Sequence, residues 1–192
     1  MNAWWQYYPN RFKDSFCDMV VQKALMLPPV AGQIGLQGSQ VTNQEIRRSQ
    51  VRWIPRRNHD FDFLFEALAD FAYECNKFAF GFDLTTFNDV QFTEYDASYE
   101  GHYDWHVDTA WGLNTHFQRK LSMVLQLSPT ENYTGGDLEF LQDDCNILPD
   151  TQAIRQKGTI IAFPAFLKHR VTPVTSGKRY SIVTWIEGPN FR

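Results

Sequence analysis

The chain has few cysteines and no long apolar segment. Its three cysteines, Cys17, Cys75 and Cys145, lie far apart, are odd in number and form no C-x-x-C motif. A disulfide framework or a thiolate zinc site is therefore not expected, and a reducing compartment is indicated. No stretch approaches the 18 apolar residues that a membrane span requires. Because the N-terminus also lacks the basic and apolar regions of a signal peptide, we predict a soluble cytoplasmic protein without a membrane partner.

Positive charge is not in excess either. The net charge of the 192 residues is −4, and a non-specific nucleic-acid binder would usually be basic, so a nucleic-acid partner is not expected. Five arginines cluster between Arg47 and Arg57. They are typical of a solvated face, and the alternative is that they rim a pocket. A hydrophobic content of 43% indicates a globular protein, and the length favours a single domain.

Two kinds of hydrophobic pattern divide the chain. Helical spacing predicts helices over Asn10–Leu27 and Asp60–Phe80, and the glycine- and glutamine-containing stretch Ala31–Gln44 between them predicts a loop that could cover a pocket. From Val90 onward the period changes to two. Strands are predicted at Arg48–Ile54, Val90–Tyr95, Lys120–Leu127, Leu138–Leu141, Thr159–Phe163, His169–Val174 and Arg179–Ile186. We predict an α+β fold in which helices pack on one face of a jelly-roll or sandwich.

Two residue types that bind metals occur two positions apart, at His106 and Asp108. On a strand, residues i and i+2 point to the same side, so both side chains would project inward. His169 would complete the set from a distant strand. Two imidazoles and one carboxylate, with coordination positions left open, form the facial triad that suits non-haem Fe(II). The H-x-D pair alone is a weak signal, since a polar strand residue with a satisfied neighbour is its common explanation.

Arg179 follows His169 by ten residues and could hold the far carboxylate of a small diacid bound to the metal. We predict that Thr175-Ser176-Gly177 is a three-residue hairpin loop with Gly177 in the left-handed conformation. His169 and Arg179 would then lie on one sheet face, roughly 13 Å apart. Ser181 would point the same way and donate to the same carboxylate. The simpler explanations are a surface salt bridge for Arg179 and a strand filler for Ser181.

Taken together, these residues resemble the Fe(II)/2-oxoglutarate-dependent dioxygenases, and within them the prolyl 4-hydroxylase-like group with small bacterial and viral members. The resemblance spans roughly Val90 to Pro189. The matching segments are Gly101–Asp108, Arg119–Ser122, Tyr133–Leu138, Lys157–Thr159, Phe163–Pro164, His169–Val174 and Gly177–Ser181, together with Tyr95. The position six residues after Arg179 is Trp185, whereas the nucleic-acid demethylase branch has an arginine there, which argues against that branch.

The resemblance implies a role for each matching residue. His106, Asp108 and His169 would ligate Fe(II), and Arg179 would bind the distal carboxylate of 2-oxoglutarate. The tyrosine that contacts this cosubstrate would be Tyr95, with Tyr99 and Tyr103 as alternatives. The implied fold is a double-stranded β-helix core at about residues 90–189, supported by helices at about 1–89, in one domain of residues 1–192.

The implied reaction is hydroxylation of an unactivated C–H bond with O₂, coupled to conversion of 2-oxoglutarate to succinate and CO₂, with ascorbate as a further cofactor. The expected substrate is a prolyl residue of a protein or peptide, and the alternative is a free amino acid or other small metabolite. Two other classes stay open: a non-catalytic jelly-roll binding module, and a hydrolase or isomerase on a cupin-like barrel with another metal. Apolar walls would protect the oxidising centre. Candidates for these walls are Trp105, Trp111, Phe163 and Trp185.

The remaining histidines are expected to have other roles. His102 lies four residues before His106, a spacing that suits a helix rather than a strand, and His59 and His116 lie in polar segments. Asp104 shares the face of His106 and could contact the substrate or support a ligand.

Overall fold

The computed structural model describes residues 4–35, 40–109, 116–141 and 151–191. Its helices are α1 (Asp14–Leu25), α2 (Asp62–Cys75) and α3 (Thr151–Arg155), and a π-helical turn, Asn76–Phe80, extends α2. The two predicted long helices are confirmed with shorter bounds. No helix within the described ranges is long and apolar enough to cross a membrane.

Thirteen strands occur in the described residues. They are β1 (Gln6–Tyr8), β2 (Val30–Ala31), β3 (Arg47–Arg48), β4 (Gln50–Ile54), β5 (Thr86–Phe87), β6 (Val90–Asp96), β7 (His102–His106), β8 (Phe117–Gln126), β9 (Tyr133–Gly135), β10 (Leu138–Phe140), β11 (Ile160–Pro164), β12 (His169–Val171) and β13 (Val174–Pro189). They form two antiparallel sheets. The larger has the order β1-β11-β8-β13-β6-β4-β2, with β5 and β9 also paired to β13, and the smaller has the order β10-β12-β7-β3. The predicted mixture of helices and antiparallel strands is confirmed at this level.

The two faces of the larger sheet have different partners. Alternate residues of β8, namely Leu121, Met123 and Leu125, belong to the same buried cluster as the apolar residues of α1 and α2. Val124, between them, belongs to a second cluster with residues of the smaller sheet. The period-two pattern thus separates a helix-facing core from an interior between the sheets.

The predicted hairpin at Thr175-Ser176-Gly177 is wrong. Strand β13 runs without interruption through these residues, pairing first with β9 and then with β6 and β8. Gly177 does have a left-handed φ of 66°, as predicted. Its place also requires glycine, since a Cβ there would lie 1.9 Å from the carbonyl oxygen of Asn132. His169 and Arg179 therefore belong to different sheets instead of sharing one sheet face.

Candidate metal centre

The two histidines of the predicted triad lie on neighbouring strands of the smaller sheet. His106 is the last residue of β7 and His169 is the first residue of β12, and the two are directly opposite in the ladder. Asp108 lies two residues beyond β7, where its backbone N–H donates to the carbonyl of Ala165. The prediction that Asp108 itself lies on the strand is thus corrected, since the ladder ends at His106.

The ligand atoms of these three residues converge. All three lie within 4.8 Å of one another. Nε2 of His106 is 3.7 Å from Oδ1 of Asp108, and Nε2 of His169 is 3.5 Å from Oδ2. This grouping suits a single cation.

Backbone hydrogen bonds fix the orientation of both imidazoles. Nδ1 of His106 lies 2.8 Å from the carbonyl oxygen of Asp104, and Nδ1 of His169 lies 2.8 Å from that of Leu167. A carbonyl oxygen can only accept, so each neutral ring carries its proton on Nδ1 and directs the lone pair of Nε2 toward Asp108. Burial and the neighbouring His169 lower the pKa of His106 to about 3. That ring is therefore neutral at neutral pH and ready to bind a metal.

Asp108 is held as a carboxylate. Its Oδ2 accepts a hydrogen bond of 2.7 Å from the hydroxyl of Ser122. Burial by itself would raise the pKa of Asp108, but His169, His106, Arg119 and the Ser122 hydrogen bond together lower that pKa below its usual value. The possible metal ligands are therefore two imidazole nitrogens and one carboxylate oxygen.

Aromatic rings pack against both imidazoles. Tyr103 stacks on His106 with ring centroids 3.5 Å apart, and Phe163 meets His169 edge to face at 4.7 Å. These contacts restrict rotation of the ligands and exclude water from one side of the triad.

Arg179 is a buried cation, and no acidic residue in the described part of the chain pairs with it. Its side chain is 1% exposed. One amino group donates to Oε1 of Gln126 at 2.9 Å, and a longer contact of 3.5 Å reaches Ser181. Nε has no hydrogen-bond partner within the ranges that the structure describes. Among the described residues no carboxylate lies within 4.0 Å of it. A buried guanidinium in this state is complementary to an anion that enters from outside.

The triad and Arg179 line the same cavity, of about 340 Å³. Tyr95, Ser181 and Tyr103 line it as well. Tyr95 is opposite Arg179 in the β6–β13 ladder, and its ring centroid lies 5.5 Å from the guanidinium carbon. A set of possible metal ligands and a cation that could bind an anion thus face one cavity. This arrangement fits an iron ion together with a dicarboxylate that chelates it.

A family model described as the 2OG-Fe(II) oxygenase superfamily matches residues 90–187. The chain belongs to this superfamily. The matched segment contains every residue of the triad and Arg179.

Similar curated proteins include PKHD-type hydroxylases. One from Synechococcus sp. (strain CC9902) is 40% identical over 86 residues, which is 44% of this chain and 36% of that protein. One from Hyphomonas neptunium is 41% identical over 68 residues, which is 35% of this chain and 28% of that protein. The chain thus spans about a third of the length of these relatives.

Solved structures with the same fold cover nearly the whole chain. A Pseudomonas putida prolyl-4-hydroxylase superposes with a TM-score of 0.71 at 19% identity, covering 97% of this chain and 94% of that one. A prolyl hydroxylase from Trichoplax adhaerens, in complex with a hypoxia inducible factor peptide, gives 0.75 at 18% identity, covering 95% and 83%. At these identities the likeness establishes the fold.

Some of the other residues that the sequence predicts for the site line the cavity, and others do not. Trp185 lines the cavity, and Trp105 lies outside it, under the guanidinium of Arg170. Trp111 falls outside the described residues. Tyr99 does not line the cavity, and its hydroxyl donates to the carbonyl of Glu94.

The remaining histidines and Asp104 are not part of the triad, as predicted. Both ring nitrogens of His102 lie within hydrogen-bond distance of backbone carbonyls, and His59 contacts Asp62. Asp104 supports His106 through its backbone carbonyl, while its side chain is exposed. His116 is exposed.

The arginine cluster divides into two kinds of environment. Arg47 is buried, lies 4.5 Å above the ring of Tyr103 and lines the cavity, which matches the pocket-rim alternative. It also donates to the carbonyl of Gln33, so part of the predicted Ala31–Gln44 loop is held against the cavity. Arg52 and Arg48 instead form ion pairs with glutamates away from it.

Three polar residues of the site were not assigned a role from the sequence. Ser122 contacts Asp108, Gln126 contacts Arg179, and Arg119 lies over the ring of Trp185 at 3.8 Å. Strict alternation along β8 would place Arg119 on the helix-facing side with Leu121. A bulge at Lys120, which has no opposite residue in β13, turns Arg119 into the cavity instead.

Proposed function

We propose that this chain is an Fe(II)- and 2-oxoglutarate-dependent dioxygenase that hydroxylates an unactivated C–H bond. The observation that carries the proposal is that one cavity contains both the triad and a buried guanidinium that has no carboxylate partner among the described residues. A cation alone would explain the triad, and an anion alone would explain Arg179. A metal chelated by a dicarboxylate accounts for both.

His106, Asp108 and His169 would hold the iron from one side and leave its other positions open to 2-oxoglutarate and O₂. Arg179 would receive the distal carboxylate of 2-oxoglutarate, with the hydroxyl of Ser181 as a second donor and Tyr95 as a neighbouring wall. Gln126 keeps the guanidinium turned toward the cavity. When bound, the iron and 2-oxoglutarate supply the oxidising power for hydroxylation, with succinate and CO₂ as co-products.

The architecture we infer is a double-stranded β-helix formed by the two sheets, with α1 and α2 as support. The shared buried cluster of these helices and the larger sheet supports this assignment. We further infer that residues 1–192 act as one domain, in which about 1–89 provide the support and about 90–189 the catalytic core.

The first substrate candidate is a prolyl residue of a protein or peptide. The similar Pseudomonas putida structure is a prolyl-4-hydroxylase, and the Trichoplax adhaerens structure contains a peptide. In this chain, exposed apolar side chains at the mouth of the cavity, Val30, Trp53 and Val107, offer a surface on which residues flanking the proline would lie.

One observation favours the second candidate, a small molecule with a carboxylate. Besides Arg179, the cavity contains Arg47 and Arg119, and within the described ranges neither has a carboxylate within 4.0 Å. The indole N–H of Trp185, beside Arg119, is buried and has no hydrogen-bond partner in the described residues. Two cations and an indole N–H donor in the cavity that contains the triad suit the carboxylate of a free amino acid.

Substrate-stimulated succinate formation tests the proposal. The full chain with Fe(II), ascorbate and 2-oxoglutarate would be given peptides with an internal proline, free amino acids and the corresponding amino acid amides. The first candidate predicts stimulation by the peptides with gain of one oxygen atom, and the second predicts stimulation by free acids but not by their amides.

A chelator, or His106→Ala, should abolish succinate formation. The absence of iron-dependent succinate in the wild type would refute the dioxygenase assignment. It would favour a non-catalytic module or a cupin-like enzyme of another class.

A further inference from the structure

Each residue of the triad is oriented by one hydrogen bond, but the donors and acceptors differ in kind. His106 and His169 donate to backbone carbonyls, which no substitution at another position removes. Asp108 is held instead by a side chain, the hydroxyl of Ser122 at 2.7 Å. Of these three contacts, this one alone can be removed by a point mutation.

Ser122 is placed for this contact by the larger sheet. It lies in the middle of β8, opposite Phe163 of β11 and Trp185 of β13, and its exposed fraction is 0%. Between these two aromatic neighbours the hydroxyl would be an unsatisfied buried group without Asp108. Because an ionised carboxylate can only accept, the hydroxyl donates.

We propose that Ser122 is a positioning residue for the metal, which holds the Asp108 carboxylate turned toward the two Nε2 atoms before the metal binds. This inference rests on the proposed metal-binding function. The carboxylate group rotates easily about its Cβ–Cγ bond. The hydrogen bond from Ser122 to Oδ2 restricts this rotation and leaves Oδ1 available to a metal. Preorganisation of this kind removes an ordering cost from metal binding.

The test is Mn(II) binding by calorimetry to the metal-free full chain. Mn(II) suits carboxylate and imidazole ligands and does not need the exclusion of air. Ser122→Ala should weaken Mn(II) binding by about 10–100-fold, the usual effect of losing a group that supports a metal ligand. Ser122→Thr keeps the hydroxyl and should restore affinity close to that of the wild type.

Ser128→Ala is the matched control. Ser128 is buried like Ser122 and lies just after the end of β8. Its hydroxyl accepts a hydrogen bond from the N–H of Tyr180, outside the cavity. Its loss should leave Mn(II) affinity unchanged. Thermal unfolding of the metal-free variants separates positioning from folding. The positioning role predicts that Ser122→Ala loses more free energy of Mn(II) binding than free energy of unfolding.

The outcomes distinguish the two proposals. A wild type that does not bind Mn(II) overturns the proposed function itself. A wild type that binds, with Ser122→Ala binding equally well, overturns only the positioning role. Equal losses of affinity in Ser122→Thr and Ser122→Ala would also overturn it, because the hydroxyl would then not be the group that matters. Should Ser122→Ala fail to fold, Ser122→Cys, whose side chain is slightly larger and whose thiol donates only weakly, must show the same loss of affinity.

Discussion

Replacing Arg179 by methionine tests whether its guanidinium binds 2-oxoglutarate. Methionine keeps most of the unbranched stem, which packs near Gly136, and removes the guanidinium. The proposed partner of that guanidinium is the distal carboxylate of 2-oxoglutarate, at a position that is 1% exposed. Water cannot replace the lost contact there, so the full effect of the missing charge should be measurable.

The expected size follows from burial. Truncating one partner of a buried, hydrogen-bonded charge pair costs about 2–5 kcal/mol, which corresponds to a ~30- to ~4000-fold rise in the Kd for 2-oxoglutarate. For the stability of the protein without 2-oxoglutarate, the same substitution is not expected to be harmful. Among the described residues the cation then has only Gln126 and a long contact to Ser181 as partners, so an apolar replacement should be neutral or stabilising.

Two measurements check this pair of effects: 2-oxoglutarate binding to the Mn(II)-loaded protein by calorimetry, and thermal unfolding of the metal-free protein. Arg170→Met is the matched control, since Arg170 pairs with Glu139 at 2.7 Å and lies outside the cavity. An unchanged Kd in Arg179→Met would refute the reasoning. So would a Kd that rises equally in both variants.

Three further results are expected. His106→Ala or Asp108→Ala removes a donor atom of the triad, so Mn(II) binding and succinate formation should fall to background. Gly136→Ala should raise the KM for 2-oxoglutarate and destabilise the fold by about 1 kcal/mol or more, since Gly136 has a φ of 67° and its Cβ would lie 2.9 Å from Val174 and 3.1 Å from Arg179. The pKa of His106, lowered to about 3 from 6.5 by burial and by a neighbouring imidazole, means that the folded metal-free protein binds fewer protons than the unfolded chain between these values. Its unfolding free energy should therefore decrease as the pH falls through this window, by at most about 1.4 kcal/mol per pH unit, and His106→Gln should weaken this dependence in urea titrations.

Each result has an outcome that contradicts it. Wild-type Mn(II) affinity in His106→Ala would show that the metal, if bound, lies elsewhere. An unchanged KM for 2-oxoglutarate in Gly136→Ala would show that the glycine does not affect the position of Arg179. Identical pH profiles of stability in His106→Gln and the wild type would show that the buried imidazole does not contribute to the profile.

The proposed metal ligands could be identified from the sequence because the combination of residue types is specific. The H-x-D pair, a later histidine at the start of a strand and a following arginine are few residues, and they suit one kind of site. The prediction that His169 and Arg179 share one sheet face was wrong. It assumed a hairpin, because loop residues between two strand patterns usually indicate one. In the structure the chain moves from the smaller sheet to the larger one and β13 begins at Val174.

The supporting residues of the site could not be identified in the same way. Ser122 is one of several serines at strand positions, and its importance depends on Asp108, which reaches it only in three dimensions. Arg119 faces the cavity because of the bulge at Lys120, and a bulge leaves no reliable mark in the period-two pattern. Side chains whose role depends on register or on long-range contacts are therefore the ones that sequence reasoning misses.

The central claim is that the triad and Arg179 bind a metal and 2-oxoglutarate together in one cavity. Calorimetric titration of 2-oxoglutarate into the full chain, with and without Mn(II), tests this directly, because chelation couples the two affinities. We expect 2-oxoglutarate to bind at least about tenfold more tightly when Mn(II) is present, a coupling of 1.4 kcal/mol or more. Equal binding with and without Mn(II), or no binding in either case, would contradict the claim.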